Sequence, residues 1–150
     1  MRKPLHYELD EIIMPPENEK MTRRKTVQRD AIRKVFLSKN RAIKVEEILE
    51  EGRGLVESLN QATVYRNLKY LLESGWIRTV HHPELGNLYE MAQKEHHHHF
   101  HCRSCERVFD LPGCALNETK STPPGFVAER HEVFLFGVCS SCRGPDAGSP

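Results

Sequence analysis

Apolar residues recur at helical spacing in three successive segments of the front half of the chain, which predicts three amphipathic helices. We expect Thr26 to cap the first helix, Gly52 or Gly54 to end the second and Gly75 to end the third. The apolar stripes are Val27, Ala31, Ile32, Val35 and Phe36; Val45, Ile48 and Leu49; and Val64, Leu68, Leu71 and Leu72. A weaker helical pattern over residues 5–13 precedes them and stops at Pro15-Pro16.

After Gly75 the period of the pattern changes from helix to strand. Residues 76–80 and 87–91 read as two short strands, and the turn-rich segment 81–86 separates them. Three helices followed by a hairpin is the order of a winged helix-turn-helix, in which the third helix enters the major groove of DNA.

The back half predicts a small unit of strands. Short strands at 100–102 and 107–110 flank a Cys-Arg-Ser-Cys segment, and a long strand is expected over 126–138. A short helix is expected at 115–120. The tail 144–150 consists of Gly, Pro, Ser, Ala and Asp and is expected to be disordered.

Composition excludes some classes of protein and charge suggests a partner. No apolar run among the 150 residues approaches the roughly 20 that span a membrane, and the N-terminus lacks the apolar stretch of a secretory signal. We therefore expect a cytoplasmic protein with reduced thiols and no membrane partner. The net charge is only +1, but residues 20–44 contain ten basic residues and one acid, Asp30. Such a segment is suited to contact DNA phosphates.

Two cysteine pairs, Cys102-x-x-Cys105 and Cys139-x-x-Cys142, have the spacing of a closed tetrahedral Zn²⁺ site. Structural zinc is favoured over two redox pairs or buried apolar cysteines, because the spacing and the reducing compartment agree. The fifth cysteine, Cys114, is interpreted as a small half-buried residue beside a turn rather than a sensor thiol.

A run of histidines precedes the first cysteine pair. In an extended segment His97, His99 and His101 point to one side and His96 and His98 to the other, so one strand can serve two metal sites. Carboxylates near the ends of this segment and a later histidine could complete the sites, with Zn²⁺, Fe²⁺, Mn²⁺, Co²⁺ or Ni²⁺ as suitable ions. The alternative is a solvated loop with loose metal affinity. The completing residues are Glu90, Asp110 and His131.

Polar residues decorate the third predicted helix. Tyr65 and Arg66 project about 100° apart on a helix, so one can touch bases while the other reaches phosphate. Gln61 and Thr63 lie one turn earlier, and Arg24 lies at the start of the first strong helix. These five residues are the candidate DNA contacts.

Four segments together resemble the ferric uptake regulator family. They are residues 24–29 (Arg-Lys-Thr-Val-Gln-Arg), 61–68 (Gln-Ala-Thr-Val-Tyr-Arg-Asn-Leu), 96–105 (four histidines, then Phe-His-Cys-Arg-Ser-Cys) and 139–142 (Cys-Ser-Ser-Cys). The resemblance runs in order over most of the chain, from about residue 20 to residue 143.

This resemblance implies an α+β fold and a metal-dependent transcription regulator, usually a repressor, that acts as a homodimer on a double-stranded DNA operator. It implies a winged-helix domain at 1–91 and a small α/β dimerisation domain with a four-cysteine zinc site at 92–143, joined by a hinge near Glu90. It further implies the following sets: structural zinc at Cys102, Cys105, Cys139 and Cys142; a regulatory ion, Fe²⁺, Zn²⁺ or Mn²⁺, at Glu90, His97, His99 and Asp110; an additional site at His96, His98, His131 and Glu118; and DNA contacts at Arg24, Tyr65 and Arg66.

The sequence departs from the family where a histidine of the N-terminal domain often joins the regulatory site. That place reads Asn40-Arg41-Ala42-Ile43, so Asp110, His81 or His82, or water is left to close the site. Two kinds of signal are compatible with the sequence: a divalent metal ion, or peroxide sensed through bound iron. A zinc-dependent hydrolase is the alternative from another class, but the chain has no His-Glu-x-x-His motif and we expect no enzyme.

Overall fold

The computed structural model describes residues 17–114, 116 and 122–145. Within these ranges the fold is α+β, as the sequence predicts, with helices and a hairpin first and a small sheet after them. The elements are α1 (Glu17–Lys39), α2 (Val45–Leu55), α3 (Gln61–Glu73), β1 (Ile77–His82), β2 (Gly86–Met91), β3 (His97–Cys102), β4 (Val108–Pro112), β5 (Phe134–Gly137) and α4 (Ser140–Arg143). None of the described helices has the length and apolar character needed to cross a bilayer.

The three helices and the hairpin share one apolar core. The predicted stripes of all three helices contribute to it, except that Val27 is exposed and Gln28 is buried in its place. Phe36 lies at the centre, with its ring in edge contact with Trp76 at 5.9 Å between centroids. The hairpin is therefore fixed to the helices through the residue that precedes its first strand.

We expect Phe36→Ala to lower the free energy of unfolding by about 3–5 kcal/mol, because it leaves a cavity under the Trp76 ring. Phe36 is 1% exposed. Leu37→Ala on the same helix is the matched control, and since Leu37 is 60% exposed it should change stability by less than about 0.5 kcal/mol. Urea denaturation of both variants measures the difference. Equal losses in the two variants would contradict this packing.

Two predicted helix boundaries are wrong. Helix α1 begins at Glu17, not after Thr26, and the Thr26 hydroxyl donates to the carbonyl oxygen of Thr22 one turn earlier. The residues between are mostly good helix formers without Gly or Pro, so the helix extends past the expected cap. Helix α2 continues through Gly52 and Gly54 to Leu55. A Cβ at Gly52 would lie 2.5 Å from Leu59 Cδ2, so this glycine serves close packing instead of helix termination.

Helix α3 and the hairpin agree with the sequence prediction. The Asn60 side chain caps α3 by accepting a hydrogen bond from the Thr63 N–H at 2.9 Å. Gly75 follows the helix with a φ of 69°, which is the left-handed conformation that ends many helices. Strands β1 and β2 pair antiparallel, from Ile77 with Met91 to His82 with Gly86, and extend one or two residues beyond the prediction.

The second sheet has the order β4-β3-β5, with β3 antiparallel to β4 and parallel to β5. The long strand predicted over 126–138 is wrong, because strand pairing is confined to Phe134–Gly137. Phe126 and Val127 are exposed, so the alternation there does not reflect burial within one chain. The segment at 5–13, nearly all of the predicted helix at 115–120 and most of the predicted tail lie outside the described residues.

The helical part and the second sheet meet in a small joint beneath the hairpin. Ala42, Val80 and Leu88 pack there against Val108, and Phe134 packs against the same cluster. On its surface Lys44 forms an ion pair with Glu106 at 3.0 Å. This joint brings the end of β2 beside strand β3, which carries the histidines.

Candidate metal centres

Strand β3 presents its histidines alternately to two sides, as the sequence predicts for an extended segment. His97 and His99 contact Glu90 of the hairpin, and His101 contacts the ring of His82. His98 faces the opposite side, where it meets His96. One strand thus supplies two separate clusters of ligand-type side chains.

The first cluster, which we call the joint cluster, consists of Glu90, His97, His99 and Asp110. One potential ligand atom from each lies within 4.8 Å of all the others. The Nε2 atoms of His97 and His99 lie 3.1 and 3.2 Å from the same oxygen, Oε2 of Glu90. Asp110 Oδ1 lies 3.9 Å from His97 Nε2 and is buried without a hydrogen-bond partner. A buried carboxylate oxygen without a donor fits a cation site.

Glu90 stays ionised although it is fully buried. Burial alone would raise its pKa, but hydrogen bonds from His99 and His97, the charge of His97 and a hydrogen bond from Arg78 together lower the pKa to about 2. The carboxylate is therefore available as an anionic ligand at every physiological pH.

Two basic side chains flank the joint cluster, and no local sequence pattern indicates either. Arg78 Nε donates to Glu90 Oε1 at 2.7 Å, directly across the hairpin. Lys94 contacts Asp110 Oδ2 and also donates to the carbonyl oxygen of Asn40 at 2.9 Å. Asn40 belongs to the segment 40–43, where the family resemblance leads us to expect a histidine, and Lys94 connects this residue with Asp110.

Asp110 is the one of the three candidate closing residues that lies in the joint cluster. His81 Nδ1 is instead 2.8 Å from Asn87 Oδ1, on the hairpin. His82 Nδ1 accepts the N–H groups of Glu84 and Leu85, and its ring packs against His101 and Phe134. His101, for which the sequence predicts no partner, is thus a packing residue of the joint.

The second cluster, which we call the four-cysteine cluster, consists of Cys102, Cys105, Cys139 and Cys142, with the sulfurs within 4.8 Å of one another. Cys105 Sγ and Cys139 Sγ are 3.9 Å apart, close to the roughly 3.8 Å edge of a tetrahedron with Zn–S bonds of about 2.3 Å. All four are free thiols. Strand β3 ends in the first pair and helix α4 carries the last cysteine, so the cluster ties the end of the chain to the sheet.

The thiols of this cluster differ in acidity. The Cys139 N–H donates to Cys102 Sγ at 3.2 Å, and with the backbone of Cys105 it lowers the pKa of Cys102 to about 6. Hydrogen bonds with Cys139 and Cys105 raise the pKa of Cys142 to about 12. Four thiolates so close together repel one another, and a bound Zn²⁺ would relieve that repulsion as the last protons leave.

The third cluster contains His96, His98 and His131, as the resemblance implies, together with Cys114. Glu118, the fourth residue expected there, lies outside the described residues. Cys114 is exposed, not half-buried as predicted, and its Sγ lies 3.2 Å from both His98 Nε2 and His131 Nε2. Sequence spacing offers little signal for this contact, because Cys114 sits in the loop after β4.

Four of the five candidate DNA contacts are exposed, namely Arg24, Gln61, Tyr65 and Arg66. Thr63 is instead buried at 4% exposure, and its hydroxyl accepts a hydrogen bond from Arg66 at 3.1 Å. Thr63 therefore orients Arg66 and presents no surface of its own.

The chain is similar to known proteins in sequence and in fold. The sequence profile of the ferric uptake regulator family matches residues 20–136. The ferric uptake regulation protein of Campylobacter jejuni is 28% identical over 127 residues, which cover 81% of each protein. The zinc uptake regulation protein of Mycobacterium tuberculosis is 31% identical over 123 residues, which cover 80% of this chain and 95% of that protein. The ferric uptake regulator of Francisella tularensis, solved with iron, shares the fold with a TM-score of 0.64 at 22% identity, covering 91% of this chain and all of that one.

With the helices, hairpin, histidine strand and paired cysteines all inside the matched region or at its edge, this chain belongs to the ferric uptake regulator family.

Proposed function

We propose that this protein is a homodimeric repressor whose DNA binding depends on a divalent ion held by Glu90, His97, His99 and Asp110. The observation that carries the proposal is the position of the joint cluster. Glu90 lies on the hairpin, whereas the two histidines and Asp110 lie on the second sheet. Ligands drawn from both sides of the joint would fix the angle between them when an ion is bound.

The donor set suits the ions expected from the sequence. Two imidazoles and two carboxylates are ligands that Fe²⁺, Zn²⁺ and Mn²⁺ all accept. We call the arrangement of the joint that binds the ion the closed form. To shift the ratio of closed to open molecules from 1:99 to 99:1, the ion must bind the closed form more favourably by about 5.5 kcal/mol. Several ligand bonds made in only one arrangement of the joint are sufficient for a preference of this size.

Exposed residues of helices α1 and α3 support the DNA-binding role. Tyr65, Arg66 and Gln61 form an open surface on α3, and Arg24 lies on α1 in the basic segment. Asn60 and the buried face of α3 hold this surface rigidly against the core. A rigid third helix with exposed Tyr and Arg is the arrangement that a winged helix uses for base and phosphate contacts.

Exposed apolar residues near β5 support the homodimer. Leu135, Phe136 and Val138 are 37–51% exposed, and Phe126 and Val127 are 71% and 86% exposed. Strand β5 is also an edge of its sheet. An exposed apolar segment along a sheet edge is a surface that a second copy would cover.

The proposed function is tested by DNA binding at controlled metal concentration. Duplexes selected from a random pool by the zinc-loaded protein plus Fe²⁺, Mn²⁺ or additional Zn²⁺ should contain an inverted repeat. The regulatory ion should raise affinity for that repeat by between about 5-fold and 150-fold in gel-shift titrations. Failure to select any sequence with all three ions would overturn the proposal. Ester or peptide hydrolysis that depends on the same ion would support the hydrolase instead.

A further inference from the structure

We propose that His96, His98, His131 and the thiolate of Cys114 form a tetrahedral site that prefers Zn²⁺ to Fe²⁺ and Mn²⁺. The resemblance implies a carboxylate, Glu118, as the fourth ligand of this cluster. The structure instead places a sulfur among the three imidazoles. The proposal does not depend on the joint cluster or on DNA binding.

The separations of the potential ligand atoms are close to those of a zinc tetrahedron. His98 Nε2 lies 3.2 Å from His96 Nε2, and Cys114 Sγ lies 3.2 Å from the Nε2 atoms of both His98 and His131. With Zn–N bonds of about 2.05 Å and a Zn–S bond of about 2.3 Å, the edges of a tetrahedron are roughly 3.3 Å for two nitrogens and 3.6 Å for nitrogen and sulfur. A small outward movement of each side chain admits the ion.

Hydrogen bonding does not account for the cluster. His98 Nε2 has two neighbours at 3.2 Å, His96 Nε2 and Cys114 Sγ. An imidazole nitrogen carries either one hydrogen or one lone pair, so it can satisfy only one of these contacts. His98 is 6% exposed, so water has little access to compensate. A cation that accepts one lone pair from each of the four atoms satisfies all of them.

The sulfur of Cys114 is accessible from outside the cluster. The N–H of Leu116 lies 3.3 Å from Cys114 Sγ. Cys114 and His96 are both exposed, in contrast to Cys102 at 0% exposure. The proposed site is therefore open to exchange after folding through two of its four ligands, whereas one cysteine of the four-cysteine cluster, Cys142, is exposed.

The sulfur determines the metal preference. A thiolate with three imidazoles is a softer donor set than the two imidazoles and two carboxylates of the joint cluster. Soft sulfur ligands favour Zn²⁺, and Fe²⁺ and Mn²⁺ lie below Zn²⁺ in the general order of affinities. The two clusters on opposite sides of β3 are thus expected to differ in the metal they retain.

Cobalt spectroscopy tests the fourth ligand in protein whose four-cysteine cluster is filled with zinc. Titration of the wild-type protein with Co²⁺ should give a thiolate-to-cobalt charge-transfer band, and Zn²⁺ should abolish the band while equal Fe²⁺ or Mn²⁺ should not. Cys114→Ser should remove the band and weaken Zn²⁺ binding at this site by more than about 10-fold, since loss of even an outer-shell partner costs about 10–100-fold.

Matched variants distinguish ligation by sulfur from ligation by a carboxylate. Glu118→Gln and His97→Ala should keep both the band and the affinity, because neither removes a ligand of the proposed set. A band that survives in Cys114→Ser would come from the four-cysteine cluster and would overturn the proposal. Loss of affinity in Glu118→Gln but not in Cys114→Ser would assign the fourth position to the carboxylate, and unchanged affinity in every variant would mean that Cys114 is not a ligand and would overturn the proposal.

Discussion

Replacing Cys102 with serine should release the structural zinc and unfold the second sheet. The described part of the chain after residue 92 buries few apolar side chains completely, chiefly Cys102 and Val108. Its strands β3, β4 and β5 have only six, five and four residues. Such a sheet cannot be stable by apolar burial alone, whereas a structural zinc contributes about 10–16 kcal/mol in small zinc domains.

Zinc content and thermal unfolding of the purified variant measure this effect. We expect Cys102→Ser to lose the zinc of the four-cysteine cluster and the unfolding transition of the sheet, while the helical part retains its own core around Phe36. Cys114→Ser is the matched control for the unfolding transition and for the zinc of the four-cysteine cluster, because Cys114 lies outside that cluster and is exposed. If Cys102→Ser keeps its zinc and unfolds at the wild-type temperature, the cluster has no structural role.

Removing His99 should abolish the response of DNA binding to the regulatory ion. His99 is 1% exposed, its Nε2 lies 3.2 Å from Glu90 Oε2, and its ring stacks on Phe134. Without this imidazole the joint cluster retains three ligands, and the ion no longer favours the closed joint. In the wild type, the ratio of operator affinity with the ion to that without it should be between about 5 and 150. In His99→Ala this ratio should fall to nearly 1.

His101→Ala separates this effect from a simple loss of packing. His101 lies two residues along the same strand and is 3% exposed, but it belongs to none of the clusters found among the described residues. Both variants lose a buried ring of the same size, so they should lose similar stability. Gel-shift titrations should show a full metal response in His101→Ala. An equal loss of response in both variants, or a full response in His99→Ala, would contradict the role of the joint cluster.

Local patterns predicted the parts of this protein that depend on nearby residues. The alternation of side chains along a strand placed His97 and His99 on the face opposite His98. The Cys-x-x-Cys spacing identified both halves of the four-cysteine cluster. Gly75 was recognisable as the end of α3 because helix termination depends on a few adjacent residues.

Features that depend on distant residues were missed or misplaced. The contacts of Arg78 with Glu90 and of Lys94 with Asp110 join residues 12 and 16 positions apart, and nothing in the neighbouring sequence marks them. The apolar alternation over 126–138 predicted one long strand, but β3 pairs with only its last part. Thr63 occurs in a motif suited to DNA contact, and only the packing of α3 shows that its side chain is buried.

The two basic side chains beside the joint cluster affect how sensitive the regulator can be. Arg78 and Lys94 neutralise the outer oxygens of both carboxylates, so the ligands do not repel one another strongly before an ion arrives. An incoming divalent ion therefore gains less electrostatic energy than it would from two unpaired carboxylates, and half-occupancy requires a higher free concentration. If the joint cluster binds the regulatory ion as proposed, two residues outside the ligand set would thus raise the metal concentration at which DNA binding responds.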